Sequence, residues 1–187
     1  MNRPRILIAG IGNIFLGDDA FGVEVAQRLA RSKLPPGVRV VDFGIRGIDL
    51  FYTLQEGCDT VILVDAVQCG QAPGTLYLIE PDEMSSSHSA TDATIDSHNM
   101  DPMRVLHLAA SMRDRVKCVL LVGCEPQLMG DGEEAFPDGL SEPVRAAVDK
   151  AVNNIELLVK KILAENDEPL TLTFPPQPTA LGAGKEI

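Results

Sequence analysis

The 187-residue chain carries 27 acidic and 16 basic side chains, a formal charge of −11. That is the wrong sign for a protein that wraps nucleic acid or lies on an anionic membrane, because phosphate contacts need Lys and Arg. The length suffices for one domain with a proper core, and no apolar run approaches a membrane span.

The first apolar run, Ile6-Leu7-Ile8-Ala9, is short and leads to Asp18 and Asp19, which fits a buried strand rather than a signal peptide. A cytoplasmic protein is therefore expected. Cys58, Cys69, Cys118 and Cys124 are scattered without a Cys-x-x-Cys pair. A disulfide framework or thiolate zinc site is not expected, and the four read as small free hydrophobes.

A first strand is expected over about residues 5–9 and a helix over about 19–33, where Val23, Ala26, Leu29 and Ala30 recur at helical spacing. Pro35-Pro36-Gly37 stops that helix. Val38 to Val41 reads as a second strand ending at Asp42. A second helix begins near Arg46 or Gly47, carries Ile48, Leu50, Phe51 and Leu54, and stops at Gly57. Thr60 to Val64 is a β-branched third strand ending at Asp65. The link from Ala66 to Gly74 is too short for a crossover helix, so the strand over Thr75 to Ile79 should run antiparallel.

Pro81 to Ser97 is polar and reads as a surface loop, and a third helix follows His98. Val116 to Val122 is a buried strand, and Gly130 to Gly139 an acidic loop. Ser141 opens the last helix as its cap, with Pro143 in the first turn and Val144, Ala147, Val148, Ala151, Ile155, Leu158 and Ile162 on one face. From about residue 165 prolines and glycines replace the pattern, which predicts a disordered tail over 165–187. The expected fold class is α/β: a single three-layer α/β/α domain over 1–164, with a mixed five-stranded sheet and one antiparallel strand.

Three of these strands lead to acids: Asp18-Asp19 after a glycine loop, Asp42, and Asp65. In parallel strands all of them point to one crevice at the carboxyl ends, and His98 can reach the same rim. Any one of them alone reads as a helix cap or strand-end acid. Together they make a metal-site composition, since gathered carboxylates without a cation would raise one another's pKa, a repulsion that a metal or a shared proton would relieve. Gly10-x-Gly12 after a strand resembles a dinucleotide fingerprint, but Phe15 stands where its third glycine belongs and two acids would face the pyrophosphate. That reading is rejected.

The stretch Gly10-Ile11-Gly12-Asn13 through Asp18-Asp19-Ala20-Phe21-Gly22 resembles the signature of the nickel-iron hydrogenase maturation endopeptidases. Asp42-Phe43-Gly44-Ile45-Arg46-Gly47, Val64-Asp65-Ala66, Pro73-Gly74-Thr75 and Ser97-His98-Asn99-Met100 resemble its further segments, in order. The resemblance implies an enzyme that removes a short C-terminal peptide from the precursor of a hydrogenase large subunit once nickel is inserted. It implies Asp19, Asp65 and His98 as metal contacts, the metal being the precursor's own nickel. Asp19 and Asp65, with Asp42 handling protons, would be the catalytic acids, water attacking the peptide carbonyl with no serine or cysteine nucleophile. Arg46 would touch the precursor's terminal carboxylate or pair with an acid. Asp18 is left as a turn or cap residue. Two other readings stay open: a checkpoint protein that binds the same precursor without cutting, and a peptidase with a permanent metal of its own.

Overall fold

The computed structural model describes residues 5–80, 115–128 and 139–164. Three parallel pairings and one antiparallel pairing build a five-stranded sheet among these residues. Strand β1 (Ile6–Ile11) pairs in parallel with β2 (Val38–Gly44) on one side and with β3 (Cys58–Ala66) on the other. Strand β4 (Leu76–Ile79) runs antiparallel to β5 (Val116–Cys124), which is parallel to β3. The order is β2-β1-β3-β5-β4, so the expected mixed sheet and its antiparallel strand are present. After β1 the chain moves to one side, and after β2 it returns to the other. The carboxyl ends of β1 and β3 therefore flank a topological switch point, where α/β sheets open a crevice.

Strand alternation sorts the core into two layers. Ile6, Ile8, Ile62, Val64, Leu120 and Val122 face helices α1 (Phe21–Leu29) and α3 (Glu142–Ala164). Leu7, Ala9, Ile11, Val61, Leu63 and Leu121 face the opposite way, toward Leu50 and Leu54 of α2 (Gly47–Glu56). At nine residues α1 is too short to be stable alone, so packing holds it. Its Phe21, Val25 and Leu29 are fully buried, each contributing on the order of 2 kcal/mol.

Four strands run further than their apolar patterns suggest. β1 reaches Ile11 and β5 reaches Cys124, and β3 includes Asp65 and Ala66, which pair with Gly123 and Cys124. β2 does not end at Asp42: Phe43 continues it into the core beside α2, and the strand stops at Gly44. The first helix is shorter than its periodicity predicts. It opens with a 3-10 turn over Asp18–Ala20, and Arg31 and Ser32 fall back to tighter hydrogen bonds at its end. The loop over 81–97, the helix after His98, residues 130–138 and the tail lie outside the described residues.

Glycine determines how α1 sits on the sheet. A Cβ at Gly10 would lie 2.4 Å from the Gly22 carbonyl oxygen and 2.5 Å from Ala26 Cβ. One at Gly22 would lie 2.0 Å from the Val64 oxygen and 2.3 Å from that of Ile11. Helix backbone thus rests directly on β1 and β3. Alanine for glycine inside a helix ordinarily stabilises by about 1 kcal/mol. Here the obstruction is main chain, so Gly22→Ala should instead lose roughly 1–3 kcal/mol, as overpacked cores do. A urea-unfolding midpoint lower than wild type is the expected result; a higher one would mean that α1 moves freely over the sheet.

Candidate active site

Gly12, the first residue beyond β1, starts the loop that leads to the paired acids. Its φ of +127° suits glycine, and a Cβ there would fall 1.8 Å from the Asp19 carbonyl oxygen and 3.6 Å from Asp65 Oδ1. The same small residue therefore abuts both acids. The Asn13 backbone N–H donates to Asp19 Oδ2 at 2.5 Å, and Asn13 Oδ1 accepts from the Phe15 N–H at 3.0 Å. Gly12 N–H also donates to the Gly44 carbonyl at 3.1 Å, tying this loop to the end of β2. Asp65 is buried near the end of β3, and its Oδ1 accepts from the Ala66 N–H at 2.8 Å. Gly12 thus lies between the main chain of Asp19 and the carboxylate of Asp65 at the switch point. Burial pushes the Asp19 carboxyl above the ordinary aspartate value, and the Asn13 N–H opposes that shift.

The neighbouring acid does something else. Asp18 is fully buried and turned away from solvent. Its Oδ2 accepts from the Gln127 N–H at 2.8 Å, the Leu128 N–H at 2.9 Å and the Ser141 hydroxyl at 2.8 Å. Its Oδ1 accepts from the Ser141 N–H at 2.7 Å. The Asp18 N–H in turn donates to the Leu128 carbonyl at 3.1 Å. Ser141 stands just before α3, as its sequence position predicts. Asp18, however, is a tie between three distant stretches and not a local turn or cap.

The remaining predicted residues divide. Asp42 pairs with Gly10 in the sheet, and Gly10 pairs with Val64. Alternation then puts Asp42 on the α1 side and Asp65, one residue beyond Val64, on the other. Asp42 Oδ2 accepts from Gln27 Nε2 of α1 at 3.2 Å. The expectation that parallel strands aim every strand-end acid the same way is corrected here: Asp42 lies within its strand and flanks the site from the α1 face. Arg46 folds back, donating from Nε to the Phe43 carbonyl at 3.1 Å and from Nη2 to the Asp42 carbonyl, with Asp49 3.9 Å from Nη1. Of its two expected roles, the structure displays the pairing with an acid. His98 lies outside the described residues. Among the described residues no group of three or more His, Cys, Asp or Glu side chains gathers to hold a metal.

A further acid closes the β5 side. Glu125 is buried immediately after β5 and accepts from the Cys69 N–H at 2.9 Å, the Gly70 N–H at 3.1 Å and the Tyr77 hydroxyl. Burial alone would raise its pKa, but the Tyr77 hydroxyl and the backbone N–H groups of Cys69, Gln71 and Gly70 hold it below the ordinary glutamate range. None of the four cysteines is in a disulfide. Burial, with Asp18 and Glu125 nearby, pushes the Cys124 thiol up to about 12, so it is an inert core group. Cys58 is buried too, whereas Cys69 is exposed on the link that Glu125 holds.

A family model for hydrogenase maturation protease matches residues 23–157, well over half of the chain. A hydrogenase expression/formation protein, HoxM of Azotobacter vinelandii, is 36% identical over 185 residues, spanning 97% of this chain and 86% of the relative. The chain belongs to the hydrogenase maturation protease family. HupM of Azotobacter chroococcum, also a hydrogenase expression/formation protein, is 39% identical over 152 residues, 81% of this chain and 69% of that one. Among solved structures, the hydrogenase maturating endopeptidase HybD of E. coli superposes with a TM-score of 0.66 at 26% identity, covering 84% of this chain and 93% of its own. A hydrogenase 2 maturation peptidase from a Thaumarchaeota archaeon gives 0.58 at 30% identity, covering 84% and 97%. The family resemblance read from the glycine loop and the later acidic segments is thereby borne out, and so is the fold. Among the described residues no helix is long and apolar enough to cross a membrane.

Glu125 and the role of Asp18 escaped the sequence reading. Glu125 follows a buried apolar strand as Asp65 does, so the same signal marks it. Asp18 gives no such signal, because its donors come from more than a hundred residues away. Asp18→Asn would set an amide N–H against backbone N–H groups and leave at least one of them without an acceptor. A loss of about 2 kcal/mol or more is expected in urea unfolding, against about 1 kcal/mol for Ser141→Ala, which removes one bond. Equal midpoints for Asp18→Asn and wild type would contradict the tie.

Glu125 predicts a pH signature. Its folded pKa is lowered, so its contribution is fully present above the ordinary value of 4.5 and is lost as pH falls through the folded value. The stability gap between wild type and Glu125→Gln should therefore be widest near neutrality and should narrow below about pH 4.5. Unfolding midpoints across that range measure it, and a gap that widens with acid would refute the assignment.

Proposed function

We propose that this chain is the endopeptidase that removes the C-terminal peptide from the nickel-loaded precursor of a hydrogenase large subunit. The observation that carries the reading is the Gly12 turn, which abuts the main chain of Asp19 and the carboxylate of Asp65 at the switch point in a member of the maturation protease family. The substrate brings the nickel. Asp19 and Asp65 supply carboxylate oxygens to it, with His98 as the third contact, and this seats the scissile bond in the crevice. Hard oxygen and imidazole donors suit that metal.

Water is the nucleophile. A carboxylate takes its proton, or the substrate's metal lowers its pKa, and the leaving amine receives a proton as the peptide bond breaks. A carboxylate oxygen of Asp19 or Asp65 that the substrate's nickel leaves open would take the water's proton. Asp42, held by Gln27 on the α1 face, is the adjoining proton-handling acid. Arg46 is the contact for the chain end of the precursor, through the part of its guanidinium that stays exposed beside Asp49.

Purified precursor, with and without nickel, provides the test. Wild type should release a small C-terminal piece from the nickel-loaded form alone, seen by mass spectrometry. Asp19→Asn, Asp65→Asn and His98→Ala should each slow that release by about a hundredfold or more while the far-ultraviolet circular dichroism stays native. Wild-type rates in all three variants would overturn the assignment, and a stable complex without cleavage would make the protein a checkpoint instead.

A further inference from the structure

Among the described residues most large apolar side chains are inside, and of the seven that are exposed all but Leu128 and Leu157 lie on the loops after β1 and β2 and on α2. Ile14 and Phe15 stand exposed in the loop after β1, Phe15 at 81%. Ile45 is exposed after β2, and Ile48 and Tyr52 are exposed on α2. The last two are four residues apart and so share one helix face, opposite the one that buries Leu50 and Leu54. The Phe51 ring, 5.7 Å from that of Tyr52 and edge-on to it, steadies the tyrosine. The Gly12–Gly44 hydrogen bond runs the two loops side by side. Five apolar side chains thus border the same sheet edge as Asp19 and Asp42. Single exposed hydrophobes need no explanation, but a clustered set beside a site does.

We infer that Ile14, Phe15, Ile45, Ile48 and Tyr52 form the docking surface for the folded body of the precursor, as distinct from the peptide that is cut away. This rests on the processing reading above. Two observations fix the occupant. The patch is continuous with the crevice, Phe15 being four residues from Asp19 on one loop, yet it extends outward along α2 from Ile48 to Tyr52 by roughly 6 Å of helix. A peptide seated between Asp19 and Asp65 has no need of that reach, whereas a globular substrate presenting its chain end does. The margins are acidic: Asp42 and Asp49 flank the patch on a chain of charge −11, and Arg46 between them is the group given to the precursor's chain end. The complementary face therefore has an apolar centre with Lys and Arg around it.

The test uses the full chain and the full-length nickel-loaded precursor. Phe15→Ser and Tyr52→Ser remove apolar area from exposed positions, so native thermal unfolding is expected. Each should raise KM by about tenfold, as buried aromatic anchors do when truncated, with kcat unchanged at saturation, and the double variant should raise it further. Leu157→Ser provides the comparison: that leucine is also exposed, at 63%, but lies on α3 about sixteen residues beyond the Ser141 end, roughly 24 Å along the helix. It should leave both constants at wild-type values. If wild type processes the precursor and the Phe15 and Tyr52 variants keep its KM, the docking surface is wrong and the protease reading survives. A fall in kcat at constant KM would also overturn it, as would a wild-type dimer that these variants convert to monomer. If wild type cannot process the precursor at all, both readings fail.

Discussion

Everything at the site depends on how closely α1 approaches the sheet. Gly10 and Gly22 let helix backbone rest on strand backbone, with carbonyl oxygens where a Cβ would have to go. That contact fixes where α1 begins, and the 3-10 turn over Asp18–Ala20 is joined directly to its first residue. The two acids inherit their directions from it. Consecutive residues in a tight turn cannot face the same way, so one carboxylate goes into the protein and the other toward the crevice.

The consequence is a division of labour between chemically identical neighbours. A buried carboxylate is tolerable only when its lone pairs are occupied, and Asp18 finds three N–H groups and a hydroxyl. Those donors come from the segment after β5 and the start of α3, so the charge of Asp18 holds together elements that share no local sequence. Among the described residues Asp19 accepts from one backbone N–H, that of Asn13. Glu125 repeats the Asp18 arrangement just after β5, where it gathers the link between β3 and β4.

Much of this was legible in sequence. The β-branched runs identified the strands, the short link from Ala66 to Gly74 identified the antiparallel one, and the glycine loop with its acids located the site. What was misread followed from using side-chain polarity to end strands. Asp42 looks like a terminus, but Phe43 is apolar and buried, so pairing continues to Gly44 and leaves the acid on the α1 face. Asp65 looks the same in sequence and is indeed at the crevice. The difference lies in register, one residue relative to Gly10, which no local pattern encodes. The choice of Asp19 over Asp18 came from motif resemblance alone. The physical reason for it, the donors from 127, 128 and 141, is long-range and only the fold supplies it.

The electrostatics of the pair give the proposed chemistry its selectivity. Burial makes ionised Asp19 costly, so its carboxylate gains most from a ligand that arrives with positive charge. A precursor carrying nickel supplies that charge, while one without it asks the same carboxylate to remain ionised in a partly desolvated crevice for no return. On the proposed function, preference for the loaded precursor would need no moving part: it would be the difference between seating a cation and seating none against two acids that both border Gly12. The apolar rim would add affinity that is the same for both forms, which sets concentration and residence, whereas discrimination between them resides in the acids. Uniform binding and selective binding are thus assigned to different side chains of one sheet edge, on loops joined by the hydrogen bond from Gly12 to Gly44.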